Sequence, residues 1–272
     1  MLLTVGDSFT TIRYDGDKPW SFRLAEKLGK KHLNIAHEGM SNSFIFRNAV
    51  WALTTQTDID MVVLGLTNWD RFELPHNNYG LEQSGMWERT KTFKPKHSYG
   101  EQNLMSQVYC DYYSMLFYVD QTSSYLISLT EMCKTRNIPL ICFQPILPFN
   151  VRIPAAQTGE LDFMFKRNMN SMGEDYISSE SLFRHVDKDI FCMFTPTPKT
   201  ILYGEDIDDE KSYKNIFSYF TRRHPEFCMG FHNKYIYKDR DDFRKNWDGH
   251  PNAKGHTLIC DIIYKHIENR RS

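Results

Sequence analysis

Apolar and polar positions along the chain fall into blocks of two kinds. Leu2–Val5, Leu33–Ala36, Met61–Leu66 and Pro139–Phe143 are short, mostly apolar runs that stop abruptly at glycine or polar residues. Runs of this length and composition predict strands covered on both faces, as in a parallel sheet. Between them, apolar residues recur at helical spacing: Trp20, Leu24, Ala25 and Leu28, then Phe44, Ile45, Ala49, Val50 and Leu53. Gly29 stands where the first of these helices should stop. A longer helix is expected over Val108–Cys133 and carries Tyr109, Tyr112, Tyr113, Phe117, Tyr118 and Tyr125, an aromatic stripe that reads as core. A terminal helix is expected over Ala253–Ile267. Strand and helix in regular alternation predict a doubly wound α/β domain with a central parallel sheet.

Two stretches break the pattern. Periodicity fades over residues 69–107, a connection long enough to imply a role beyond joining elements. Residues 146–240 carry weak signals and prolines at 148, 154, 196, 198 and 225. No linker-like composition flanks this stretch, so it reads as a large insertion in a single domain spanning 1–272. Both irregular stretches are expected to shape the pocket of that domain.

Composition narrows the function classes. With 41% hydrophobic and 25% charged residues, the 272-residue chain has material for a substantial core. Its 33 Lys+Arg and 34 Asp+Glu leave a net charge of −1, so no global basic field calls for nucleic acid. Six cysteines lack any Cys-x-x-Cys pair, which predicts reduced, buried thiols. A first strand at residue 2 and the lack of an apolar run of ~20 residues predict a soluble, cytoplasmic protein without signal peptide or membrane span. No phosphate-binding or dinucleotide fingerprint occurs, so no nucleotide cofactor is expected. His224, Cys228 and His232 have a spacing that could gather a metal on a helix, but Pro225 and Gly230 oppose a regular helix there. No metal is expected.

The candidate chemistry lies at strand ends, where ligands collect in an open α/β sheet. Acyl transfer by serine needs a hydroxyl, a base for its proton and donors for the developing oxyanion. Ser8 follows the first strand, although Asp7-Ser8 could equally cap a helix. His250 precedes the terminal helix, with Asp248 two residues earlier to orient it. Gly39 follows the second strand with a bare backbone amide, and Asn68 follows the third.

These residues resemble the SGNH/GDSL hydrolase superfamily. Gly6-Asp7-Ser8-Phe9 is similar to its first block, Asn34 to Ser41 to its second, Gly65-Leu66-Thr67-Asn68 to its third, and Asp248-Gly249-His250-Pro251 to its fifth. The resemblance spans the whole chain and implies a three-layer α/β/α, flavodoxin-like fold. It implies a Ser8–His250–Asp248 triad that hydrolyses a carboxylic ester, such as an O-acetyl group on a carbohydrate, without cofactor. The oxyanion hole would comprise the backbone N–H groups of Ser8 and Gly39, with Asn68 or Thr67 as third donor. The choice stays open because two residues, not one, separate Gly65 from Asn68. In the fifth block only Gly249 separates Asp248 from His250, where the family usually has two residues.

Other readings compete for the same residues. The site could pass an acyl group to a sugar hydroxyl as an O-acyltransferase, or the fold could serve as a non-catalytic binding module. Ser41 imitates a nucleophile elbow but also suits an N-cap. His256 reads as a packing or surface histidine, and Pro251-Asn252 as the turn into the last helix. Trp69, Arg71 and Trp87 are candidate substrate contacts.

Overall fold

A computed structural model describes residues 1–11, 18–69, 71–75, 90–93, 115–145, 175–192, 227 and 250–271. Four strands, β1 (Leu2–Gly6), β2 (His32–Ala36), β3 (Met61–Gly65) and β6 (Leu140–Phe143), form a parallel sheet in the order β2-β1-β3-β6. Counting only these strands, that is the flavodoxin-like order 2-1-3-4. Phe191 adds a single parallel bridge to Cys142, and the Cys192 N–H donates to the Cys142 carbonyl at 2.7 Å. Residues 191–192 therefore stand where a fifth strand would lie, although they belong to the stretch expected as an insertion.

Alternation along the strands explains the three layers. Leu3, Val5, Val62, Leu64, Leu140 and Cys142 lie in one core with residues of α2 (Asn42–Thr55) and α3 (Met115–Thr135). Leu2, Met61, Val63, Ile141 and Phe143 face the other way, beneath α1 (Trp20–Leu28) and α4 (Ala253–Arg271). Successive residues of a strand point to opposite faces, so continuous apolar runs are what a sheet covered on both sides requires.

Helix ends are settled by particular residues. Gly29, at φ 62°, closes α1. Ser41 Oγ accepts the Phe44 N–H and caps α2, the N-cap role weighed for it above. Asn252 Oδ1 accepts the N–H groups of Lys254 at 3.0 Å and Gly255 at 3.1 Å, capping α4. No side chain of its own caps α1; the Trp20 N–H donates across to Nδ1 of buried His256 at 3.3 Å.

Some elements differ from expectation. Residues 72–75 and 90–93, within the stretch where periodicity fades, form an antiparallel pair, β4 (Phe72–Pro75) and β5 (Thr90–Phe93). Four-residue strands are too short for a periodicity argument to find. The buried face of α3 is carried by Val119, Leu126, Leu129 and Cys133 with Thr122, Ser123 and Thr130, while Phe117 is 57% exposed. The described part of the aromatic stripe therefore borders the core; Tyr109, Tyr112 and Tyr113 lie outside the described residues. Ile177, Phe183, Val186 and Ile190, also within the expected insertion, are buried in the α2–α3 core. Cys133, Cys142, Cys192 and Cys260 are free and buried, whereas Cys110 and Cys228 lie outside the described residues. Burial pushes the thiols of Cys133 and Cys260 up to about 11 and that of Cys192 up to about 12.

The turn after β1 is seated by two glycines. A Cβ on Gly65 would lie 2.5 Å from Thr10 Oγ1 and 3.3 Å from the Phe143 ring, and one on Gly6 would overlap the Thr10 side chain. Gly65→Ala is therefore expected to cost about 1–3 kcal/mol in denaturant unfolding through overpacking. Thr10→Ala in the same chain should recover most of that loss; no recovery would place the strain elsewhere. A second expectation concerns acid. Burial, aided by the charges of Arg23 and His250, pushes His256 down from 6.5 to about 4, and burial does the same to His32. The unfolded chain then binds more protons between pH 6.5 and 4, so stability falls as pH drops through that window. For His256 the loss is on the order of 2 kcal/mol by pH 5. His256→Asn, which keeps an acceptor for Trp20, should flatten the fall of the thermal midpoint between pH 7.5 and 5; an unchanged slope would refute the assignment.

Candidate functional site

The site is built on the turn that follows β1. Asp7 begins it: its carbonyl accepts the N–H of Thr10 at 2.9 Å and of Thr11 at 3.2 Å, while its Oδ1 accepts the Phe9 N–H at 3.0 Å. This leaves Ser8, half-buried, at the carboxyl end of the sheet. His250 approaches from the turn before α4, and its Nε2 lies 2.8 Å from Ser8 Oγ. For the hydroxyl to donate to Nε2, the imidazole proton must sit on Nδ1. The Phe9 ring lies against His250, with centroids 4.8 Å apart. Residues 242 positions apart thus share one hydrogen bond.

Trp20 connects the two sides. Its indole N–H donates to the Phe9 carbonyl at 3.0 Å, while its backbone N–H reaches His256 on α4. A single buried residue at the start of α1 therefore ties the Ser8 turn to the helix that follows His250.

Beneath Ser8 lies a fully buried carboxylate. Asp7 is 0% exposed, and its Oδ2 accepts the Thr67 hydroxyl at 2.8 Å and Arg71 Nη1 at 3.0 Å. The same Arg71 nitrogen donates to the Met40 carbonyl at 3.1 Å. Sequence reasoning missed this node. Its only signal is that an acid and a base both closely follow strand ends.

The remaining candidates divide. Gly39 occupies the turn after β2 with φ 76°, a left-handed conformation that glycine adopts without strain. Thr67 is buried and committed: its hydroxyl goes to Asp7, its N–H to Asn42 Oδ1 at 3.0 Å, and its carbonyl accepts from Asn42 and Gln144. Asn68, the next residue, is half-buried. Trp69 is only 1% exposed and its Nε1 donates to Gln144 Oε1 at 3.2 Å, so it packs the interior. Arg71 turns its guanidinium inward onto Asp7. Asn42 and Gln144 emerge as supporting residues, each next to a strand end or helix start. Asp248, Gly249, Trp87, His224, Cys228 and His232 lie outside the described residues. Among the described residues, no cluster of three or more His, Cys, Asp or Glu is arranged to hold a metal ion, and no helix is long and apolar enough to cross a membrane.

No protein-family model and no curated protein sequence matches the chain. Among solved structures, the chain is similar to a member of the lipolytic protein G-D-S-L family from Veillonella parvula DSM 2008. The two share 12% sequence identity over 98% of this chain and 96% of that one, with a TM-score of 0.39.

Proposed function

We propose that the chain is a serine hydrolase of the SGNH/GDSL type that cleaves a carboxylic ester. The observation that carries this reading is the 2.8 Å hydrogen bond between Ser8 Oγ and His250 Nε2 at the carboxyl end of a parallel sheet. A serine hydroxyl is a weak nucleophile until a positioned base takes its proton. In the proposed reaction, Ser8 Oγ attacks the ester carbonyl as its proton passes to His250 Nε2. The tetrahedral oxyanion is held by the backbone N–H groups of Ser8 and Gly39 and by the Asn68 side chain. Asn68 is preferred to Thr67 because the Thr67 hydroxyl and N–H are both engaged with Asp7 and Asn42. Collapse expels the alcohol, which takes the proton from His250. Water, deprotonated by the same imidazole, then releases the acid and restores Ser8. Asp248 completes the triad by accepting the His250 Nδ1–H, and no cofactor enters the cycle. An O-acetylated carbohydrate is the proposed substrate class, with the 69–107 and 146–240 stretches shaping its pocket.

The direct test is intact mass and peptide mapping after exposure to a fluorophosphonate probe. An adduct on Ser8, absent in Ser8→Ala and strongly reduced in His250→Ala, is expected; a folded wild-type protein that takes no label would overturn the reading. Turnover of p-nitrophenyl acetate tests the oxyanion donor separately. Asn68→Ala should lower kcat by roughly 10²–10³-fold with KM little changed. A kcat within a few-fold of wild type would remove Asn68 from the hole.

A further inference from the structure

The buried ion pair beneath the nucleophile turn has a second connection that charge balance does not require. Arg71 Nη1 donates to Asp7 Oδ2 at 3.0 Å and also to the Met40 carbonyl at 3.1 Å. Asp7 belongs to the loop after β1, Met40 to the loop after β2, and Arg71 to the loop after β3. One nitrogen therefore joins the three loops that hold Ser8, Gly39 and Asn68. We propose that Arg71 is a positioning residue that sets the Gly39–Met40 segment against the nucleophile turn; this rests on the serine-hydrolase reading above.

The physical need is local. Gly39 has no side chain to anchor it, and its φ of 76° lies in a region that a glycine leaves easily. An oxyanion donor contributes only if its N–H is already aimed when charge develops, so a mobile peptide there forfeits the benefit. The Met40 carbonyl, one residue beyond Gly39, is one point at which this segment is tied, and that tie runs to a guanidinium that is only 10% exposed and held by a fully buried carboxylate. Asp7 also fixes the Phe9 N–H, so the anchor that holds Arg71 is the one that shapes the turn carrying Ser8.

Arg71 could instead matter only as the cation that neutralises buried Asp7, and a set of variants separates the two roles. Arg71→Met removes both functions and leaves Asp7 buried without its cation, which should lower the thermal midpoint. Adding Asp7→Asn removes the unpaired charge but does not restore the tie to Met40. Arg71→Lys keeps a charge and enough N–H donors for both contacts. The measurement is the rate of fluorophosphonate labelling at Ser8, followed by intact mass, alongside thermal unfolding by circular dichroism. Labelling should slow by roughly 10²-fold in Arg71→Met and equally in the double variant, the magnitude of one lost oxyanion donor. The double variant should nevertheless recover thermal stability, and Arg71→Lys should retain most of the rate. Wild-type labelling in the double variant would reduce Arg71 to charge neutralisation and overturn the positioning role. A wild-type protein that labels, with folded Arg71 variants that label equally fast, overturns this inference alone; a wild-type protein that does not label overturns the hydrolase reading beneath it.

Discussion

A carboxylate with no exposed surface is the constraint around which the upper edge of this sheet is arranged. Asp7 directly follows β1, and a charge in that position is tolerable only when paired and hydrogen-bonded. Its two oxygens take the Phe9 N–H, the Thr67 hydroxyl and the Arg71 guanidinium. Each partner comes with a consequence. The Phe9 bond closes the turn that presents Ser8; Thr67 draws in the end of β3; Arg71 folds the segment after it back over the β2–α2 loop. The need to satisfy one buried group thus converts three independent loop ends into one surface.

His250 arrives by a different route. α4 lies on the same face of the sheet as α1, through Ile259 and Ile263 against the core that also contains Trp20 and Leu24. The Trp20 indole binds the Phe9 carbonyl while its backbone amide binds His256, so the helix that opens after β1 serves as a clamp between the Ser8 turn and the helix that follows His250. Asn252 caps α4 two residues past His250, and this fixes where the turn carrying the imidazole enters the helix. The hydrogen bond between Ser8 and His250 is therefore the last contact in a chain of buried ones, not an isolated meeting of two surface side chains.

How much of this could be read from residues alone depends on the kind of signal. Met61–Gly65 and Leu140–Phe143 were legible because burial on both faces demands an uninterrupted apolar run, and few other structures tolerate one. Ser41 and Asn252 were legible as a cap and a turn because capping uses short polar side chains at helix starts. The Asp7–Arg71 pair was not: the two residues are 64 positions apart, and neither has a periodicity to betray it. The burial of Trp69 was not legible for a related reason. A tryptophan after a strand looks exposed until the Gln144 side chain, 75 positions away, is seen to receive its indole N–H. The segment over 175–192 escaped because its buried residues, Ile177, Phe183, Val186 and Ile190, are spread over short turns with no single repeat. Asp248 falls outside the described residues.

The residues that follow β3 carry their own structural logic. Leu64 and Leu66 both enter the core beneath α2 and α3, so the alternation of the strand continues past its last ladder position. Thr67 turns to the other side and meets Asp7, while Asn42 holds its N–H and carbonyl like a fixed peptide partner. A threonine so placed has spent its donors on the interior. The residue that follows is the first on this loop to be half-buried, at the boundary between core and site. Thr67 therefore helps to satisfy the carboxylate beneath Ser8, and Asn68 is left as the first polar side chain of this loop at the edge of the core. The group that shapes the Ser8 turn thus also decides which polar residue after β3 is held inside and which is left at the edge.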